Sequence, residues 1–216
     1  MTAVPDAIPH ALPGVLLATS NPHKLQEFRE ILAELPCTLV SPDELGLRVE
    51  LEETGATFED NAILKAIAYA EAAGLPALAD DSGLEIDALG GEPGVYSSRW
   101  AGVATPYPER FHILEARLAD VPDERRTARY RAAIALAEPA PRGLYQVVSG
   151  SVEGRIAREP HGSGGFGYDP VFYVPELGGT FGELPASEKH HISHRARAAQ
   201  AARAPLLRLL AHDRRL

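Results

Sequence analysis

The stretch from Thr57 to Gly74 constrains the fold more than any other part of the chain. Thr57 with Asp60 three residues later forms a capping-box pattern, Gly74 with Pro76 marks the far end, and the sequence between them is almost wholly apolar. This predicts a helix buried on most of its circumference. Such a helix needs a substantial core, which 216 residues can supply as one large domain or as two small lobes around a shared core. Lys65 is the exception within the helix. At 100° per residue it shares a face with Phe58, Ala62, Tyr69 and Ala72, where a lone ammonium is costly. Either it snorkels out along that face or it reaches an anion in a cleft.

The chain before this helix reads as strand, turn, helix, strand. Val15-Leu16-Leu17-Ala18 is too short for a helix and suits a buried strand. Ser20 or Asn21 can cap the helix that follows, Pro22 fits its first position, and Leu25, Phe28, Ile31, Leu32 and Leu35 recur at helical spacing. Backbone N–H groups left open at such a helix start form an anion site. Lys24 points the same way, because a cation in the first turn opposes the helix dipole unless an anion offsets it. Residues 37–40 read as a second strand, and Glu50, Glu52 and Glu53 lie in an extended acidic segment before Thr54-Gly55.

Ala77-Leu78-Ala79-Asp80-Asp81-Ser82-Gly83 reads as a short buried strand ending in two carboxylates, a hydroxyl and a glycine. Asp, Ser and Gly are also turn residues, and alternating strand geometry cannot aim both aspartates into one cleft without a bend. The expectation is therefore a turn that re-aims the site, with Asp80, Asp81 and Glu53 as hard oxygen ligands for a metal or a reacting phosphate. Beyond it, the glycine-rich run 90–99 ending in Arg99 either covers a ligand or turns the chain. A helix is expected over 108–118, then two strands, 127–136 and 144–152, as an antiparallel pair.

Gly162, Gly164 and Gly167 satisfy G-x-G-x-x-G, but Asp169-Pro170 and a strand-like run follow, so the dinucleotide reading fails its context. A loop offering Phe166 and Tyr168 to a flat ring fits better. His190 and His194 have the spacing of a zinc helix, without the glutamate that motif needs and without an evident third ligand. Lys189, His194 and Arg195 read as donors for phosphate or a carbonyl-rich base, on the approach to a C-terminal helix interrupted by Pro205.

Hydrophobic residues at 45% and charged residues at 24% are ordinary globular values, and a net charge of −9 argues against stable nucleic-acid binding. A single cysteine, Cys37, excludes an internal disulfide and favours a reducing, cytoplasmic setting. No apolar run is long enough for a membrane helix. Residues 1–13 read as a loose extension, leaving 14–216 as a single domain of two lobes.

Six segments in order carry a specific resemblance: Thr19-Ser20-Asn21-Pro22-His23-Lys24; Glu53-Thr54-Gly55 through Asn61-Ala62 and Lys65-Ala66; Ala79-Asp80-Asp81-Ser82-Gly83; Gly94-Val95-Tyr96-Ser97-Ser98-Arg99; Gly164-Gly165-Phe166-Gly167-Tyr168-Asp169-Pro170; and Ser193-His194-Arg195. Together they resemble the motif set of the inosine triphosphate pyrophosphatase family, from about residue 15 to the C-terminal helix. The resemblance implies an α/β fold of two lobes around a long twisted mixed β-sheet with flanking helices, an active-site groove between the lobes, and a homodimer. It implies magnesium-dependent attack of water on the α-phosphate of ITP, dITP or XTP, giving the monophosphate and pyrophosphate. Asp81 would be the catalytic acid-base residue and, with Glu53, a metal ligand. Thr19, Ser20, Asn21, Lys24 and Lys65 would hold the triphosphate, and Ser82 would contact the substrate. Phe166, Gly167, Tyr168, Asp169, Lys189, His194 and Arg195 would frame the purine base. His190 and His191 depart from the family pattern.

Overall fold

The protein, as a computed structural model, is described over residues 13–213, so nearly all of the expected N-terminal extension lies outside the described residues. The elements run β1 (Gly14–Leu17), α1 (Pro22–Ile31), β2 (Thr38–Val40), α2 (Phe58–Ala73), β3 (Ala77–Ile86), α3 (Tyr107–Arg117), β4 (Thr127–Glu138), β5 (Gly143–Ile156), β6 (Phe172–Val174), β7 (Gly179–Thr180), α4 (Ala186–Ile192) and α5 (His194–Asp213), with short 3-10 turns between. The strands form one seven-stranded sheet in the order β2-β1-β3-β4-β5-β6-β7. It is mixed: β1 runs parallel to β2 and β3, whereas β6 runs antiparallel to β5 and β7. The link between the neighbouring strands β4 and β5, residues 139–142, is far too short for a parallel crossover, which makes the expected antiparallel pair.

The chain divides into two compact units, each assembled from separated segments. Among the described residues the first comprises 13–81, 133–150 and 198–213, and the second 82–132 and 151–197. In the first unit, Leu16 pairs with Ala77 and with Val40, so the short apolar strand is central in its part of the sheet and its residues Val15, Leu16 and Leu17 are fully buried. Of the two caps the sequence allows, Ser20 and Asn21, it is Asn21 that caps α1, with Pro22 at the first helical position. Thr57 and Asp60 close the capping box on α2, and Gly74 ends it in the left-handed conformation that glycine adopts without steric cost.

Two readings of these helices need correction. Helix α2 buries a stripe, Phe58, Asn61, Ala62, Ala66, Ala70 and Ala73, while Leu64 and Ala72 are exposed. Its apolar residues are mostly alanines, which favour helix anywhere and lose little when they face water. Pro205 lies within α5 and does not end it.

The second unit is built on Leu84, Ile86, Leu114, Leu118, Tyr130, Phe172 and Phe181. Arg126 is buried there, donating from Nε to the Ile156 carbonyl at 3.0 Å and pairing with Glu115. No helix of the described residues is long and apolar enough to cross a membrane.

Candidate active site

Strand β3 passes straight through Asp80-Asp81-Ser82-Gly83 without the expected turn. Strand alternation therefore sends the two carboxylates to opposite sides, and each meets a different lysine. Asp80 Oδ2 lies 2.7 Å from Lys24 Nζ, whereas Asp81 Oδ1 lies 3.0 Å from Lys65 Nζ. The anion that offsets Lys24 in the first turn of α1 is thus a side chain of the protein itself. Lys65 reaches an anion as the cleft alternative requires, and it reaches two: Glu53 Oε1 accepts from the same nitrogen at 2.9 Å.

Burial raises Asp81 above the ordinary carboxylate value, against the pull of Lys65 and Lys24, and Glu53 adds to the rise. Burial also works against the charged form of Lys65, but Asp81 and Glu53 outweigh it and lift its pKa above the ordinary lysine value. The cluster therefore keeps its ammonium while holding a carboxylate more basic than one in water, which suits proton acceptance.

The start of α1 is less open than its sequence implies. Asn21 Oδ1 accepts from the N–H groups of His23 and Lys24, at 2.9 and 3.4 Å, and Thr19 Oγ1 accepts from Asn21 N at 3.1 Å. Those three donors have internal partners, and exposed Ser20 stands beside them at the start of the helix.

Sequence reasoning named Asn61 without giving it a task. It is completely buried on α2, accepts from Gly55 N at 2.8 Å and donates to Asp81 Oδ2 at 3.2 Å. The available signal was an amide inside an otherwise apolar helix, one turn before Lys65.

The second unit gathers the other motifs. Asp169, 1% exposed, accepts from Phe166 N at 2.8 Å and from Lys189 Nζ at 2.7 Å. A Cβ on Gly165, at φ +68°, would overlap Asp169 Oδ2, so the loop closes on that carboxylate only with glycine there. Lys189 Nζ and Arg195 Cζ stand 5.0 and 5.5 Å from the centroid of the half-buried Phe166 ring. Arg195 also donates to Ser82 Oγ at 2.9 Å. His194 is stacked on Tyr130, with ring centroids 4.6 Å apart. Lys189, His194 and Arg195 are all buried.

Tyr168 does not offer its ring as Phe166 can. It is 2% exposed, meets Tyr107 edge to face at 5.2 Å, and donates its hydroxyl to the Ser97 carbonyl at 3.2 Å. The zinc reading fails as well: Ser193 separates α4 from α5, so His190 and His194 stand on different helices. Among the described residues no group of three or more His, Cys, Asp or Glu side chains could hold a metal ion.

The glycine-rich run 90–99 turns the chain around Ser97 and Arg110. Ser97 Oγ accepts from Leu84 N and donates to the Gly94 carbonyl, while Arg110, 2% exposed, donates to the carbonyls of Ser97, Ser98, Gly102 and Thr105. Arg110 carried no signal in the sequence, because an arginine beside Phe111 reads as the polar face of a helix.

A family model described as the Ham1 family matches residues 15–204, from β1 into α5. The chain belongs to the Ham1 family. The resemblance read from its six motifs is thereby borne out. A Thermus thermophilus relative named dITP/XTP pyrophosphatase is 52% identical over 187 residues, covering 87% of this chain and 88% of that protein. A Bacillus subtilis relative of the same name is 48% identical over 183 residues, covering 85% and 91%. The solved structure of a HAM1 protein from Coxiella burnetii superposes with a TM-score of 0.82 at 43% identity, covering 91% of this chain and 100% of that one. A Mycobacterium abscessus nucleoside-triphosphatase, also named dITP/XTP pyrophosphatase, superposes with a TM-score of 0.72 at 45% identity, covering 87% and 97%. The mixed sheet with flanking helices is thus a Ham1-family fold.

Proposed function

We propose that this protein is a nucleoside-triphosphate pyrophosphohydrolase that removes the non-standard purine nucleotides ITP, dITP and XTP. The observation that carries the proposal is the pair of carboxylates, Glu53 and Asp81, converging on one buried-side ammonium, Lys65, in a chain about half identical to proteins named dITP/XTP pyrophosphatase.

Asp81 is the base. Its carboxylate takes a proton from water, the water oxygen bonds to the α-phosphorus, and the bond from that phosphorus to the bridging oxygen breaks, its electron pair leaving with pyrophosphate. Both Asp81 oxygens already accept one hydrogen bond each, and each keeps a lone pair for this task. Lys24 and Lys65 neutralise the triphosphate and the departing charge, with Thr19, Ser20 and Asn21 shaping the start of α1 beside it.

Glu53 and Asp81 would hold a divalent cation. The donor chemistry fits: both carboxylates are directed at one point, now taken by the Lys65 ammonium, and magnesium takes one or two carboxylates and completes its shell with phosphate and water. When bound, the ion supplies charge neutralisation at the phosphates.

In the second unit, Phe166 offers the aromatic face for a purine, and Lys189, His194, Arg195 and backbone groups of the loop at Gly167 supply donors. Hypoxanthine and xanthine carry a 6-keto acceptor for such donors. Adenine carries an amino group there, itself a donor, and cannot accept these bonds; each charge-assisted hydrogen bond not formed is worth about 1.5 to 3 kcal/mol. Tyr168, Asp169 and Ser82 take part through the packing and hydrogen bonds that hold this arrangement.

Neither unit is a contiguous stretch, which supports reading 14–216 as one pyrophosphatase domain. A homodimer and a cytoplasmic location belong to the same proposal. The test is product analysis with ITP, dITP, XTP, GTP and ATP, with and without chelator. Pyrophosphate from the first three, lost with chelator and far slower from ATP, is the expected result. Orthophosphate as product, or equal turnover of all five, overturns the proposal.

A further inference from the structure

Asn61 bonds the Asp81 carboxylate and the backbone of Gly55, and these bonds fix which way its amide is turned. The group facing the Gly55 N–H at 2.8 Å has to be the acceptor, Oδ1, and that delivers the donor, Nδ2, to Asp81 Oδ2 at 3.2 Å. Lys65, four residues on and so about one turn along α2, takes the other oxygen, Asp81 Oδ1, at 3.0 Å. Each oxygen of the carboxylate therefore has its own donor from one helix. The second donor matters because an ammonium is a point charge with rotatable donors and cannot by itself fix the plane of a carboxylate. The other end of the same amide holds Gly55, two residues after Glu53. A side chain on Gly55 would bring a Cβ to 2.6 Å from Asn61 Oδ1, so the segment approaches this closely only as glycine.

We propose that Asn61 is a positioning residue for the hydrolytic reaction: its buried amide sets the plane of the Asp81 carboxylate and couples that plane to the Glu53–Gly55 segment. Asn61 does not itself meet the substrate. The inference rests on the assignment of Asp81 as the base. Substitution of Asn61 then lowers kcat and leaves KM nearly unchanged, because the triphosphate is held by other groups.

Asn61→Asp separates the two bonds. It keeps an acceptor for Gly55 and replaces the donor to Asp81 with a carboxylate oxygen. Asn61→Ala removes both, introduces no charge, and carries the kinetic test alone if the aspartate variant does not fold. The expected results are a fall in kcat of about a hundredfold or more in each folded variant, with KM within about threefold, the scale of a misplaced general base. Hydrogen exchange at the Gly55 amide stays slow in Asn61→Asp and accelerates in Asn61→Ala. With Asn61 itself unchanged, its side-chain amide proton resonance shifts upon Asp81→Asn, a readout independent of turnover and of variant folding at position 61. A kcat within threefold of wild type in either folded variant, or an Asn61 resonance indifferent to Asp81→Asn, overturns the inference. An inactive wild-type protein in which that resonance still shifts would refute the proposed function and leave the Asn61–Asp81 coupling standing.

Discussion

Lys24 and Asp80 form an ion pair of 2.7 Å in which the carboxylate side chain is 1% exposed and the lysine side chain 16%. Removing one partner of such a pair strands the other charge. Asp80→Asn is expected to cost about 2 to 3 kcal/mol, somewhat less than for a fully buried pair because the lysine keeps contact with solvent. A lower urea midpoint at unchanged m-value is the measurement. Stability equal to wild type would show that the pair carries no net energy.

Asp81 behaves differently under the same change. Burial already disfavours its charged form, so Asp81→Asn should leave the fold intact while abolishing the proton acceptor. Pyrophosphate release is expected to fall by about a hundredfold to ten-thousandfold, the range for losing a general base. Circular dichroism and a thermal melt confirm folding, and an active, folded variant removes Asp81 from its role.

The loop around Phe166 depends on Gly165. Gly165→Ala forces a left-handed conformation on alanine, about 1 to 2 kcal/mol by itself, and pushes its methyl group against the Asp169 carboxylate that binds Lys189. The expected kinetic signature is a rise in KM for dITP larger than the fall in kcat, because the loop proposed to meet the base is displaced while the carboxylate cluster is untouched. Equal effects on both constants would argue against that division.

Alkaline stability is tied to Tyr168. Desolvation by burial is the main cause that pushes its hydroxyl up to about 12, and burial raises Tyr107 and Tyr130 as well. A folded pKa above the unfolded one means that the neutral phenol's contribution is fully present below about pH 10 and is lost as pH rises through 12. Phenolate absorbance should therefore show late-titrating tyrosines, with unfolding over the same window. Tyr168→Phe should remove part of that loss; a titration in which every tyrosine ionises near 10 would contradict it.

Much of this was legible in the string because it is local. Asn21 before Pro22, Thr57 with Asp60, and Gly74 with Pro76 each act through the nearest turn of backbone, and each occurs as read. The six motifs carried the family for a similar reason, since order and spacing are properties of the chain itself. The errors arose where distant segments decide. Asp80-Asp81-Ser82-Gly83 has turn composition, but the same residues continue a strand when neighbouring strands pair beside them. Tyr168 and Phe166 are equivalent as letters, and only packing puts one ring into the core with Tyr107 and leaves the other half-open between two cations.

By itself, the sequence determined the start of α1, both ends of α2, the alternation of strands and helices, and which residue types were available for phosphate chemistry. Tertiary structure decided the pairing: Lys24 with Asp80, Lys65 with Asp81 and Glu53, Lys189 with Asp169, and Asn61 between Gly55 and Asp81. A buried charge selects its counter-charge by distance and desolvation, and distance between segments far apart in the chain exists only once the sheet has brought them together.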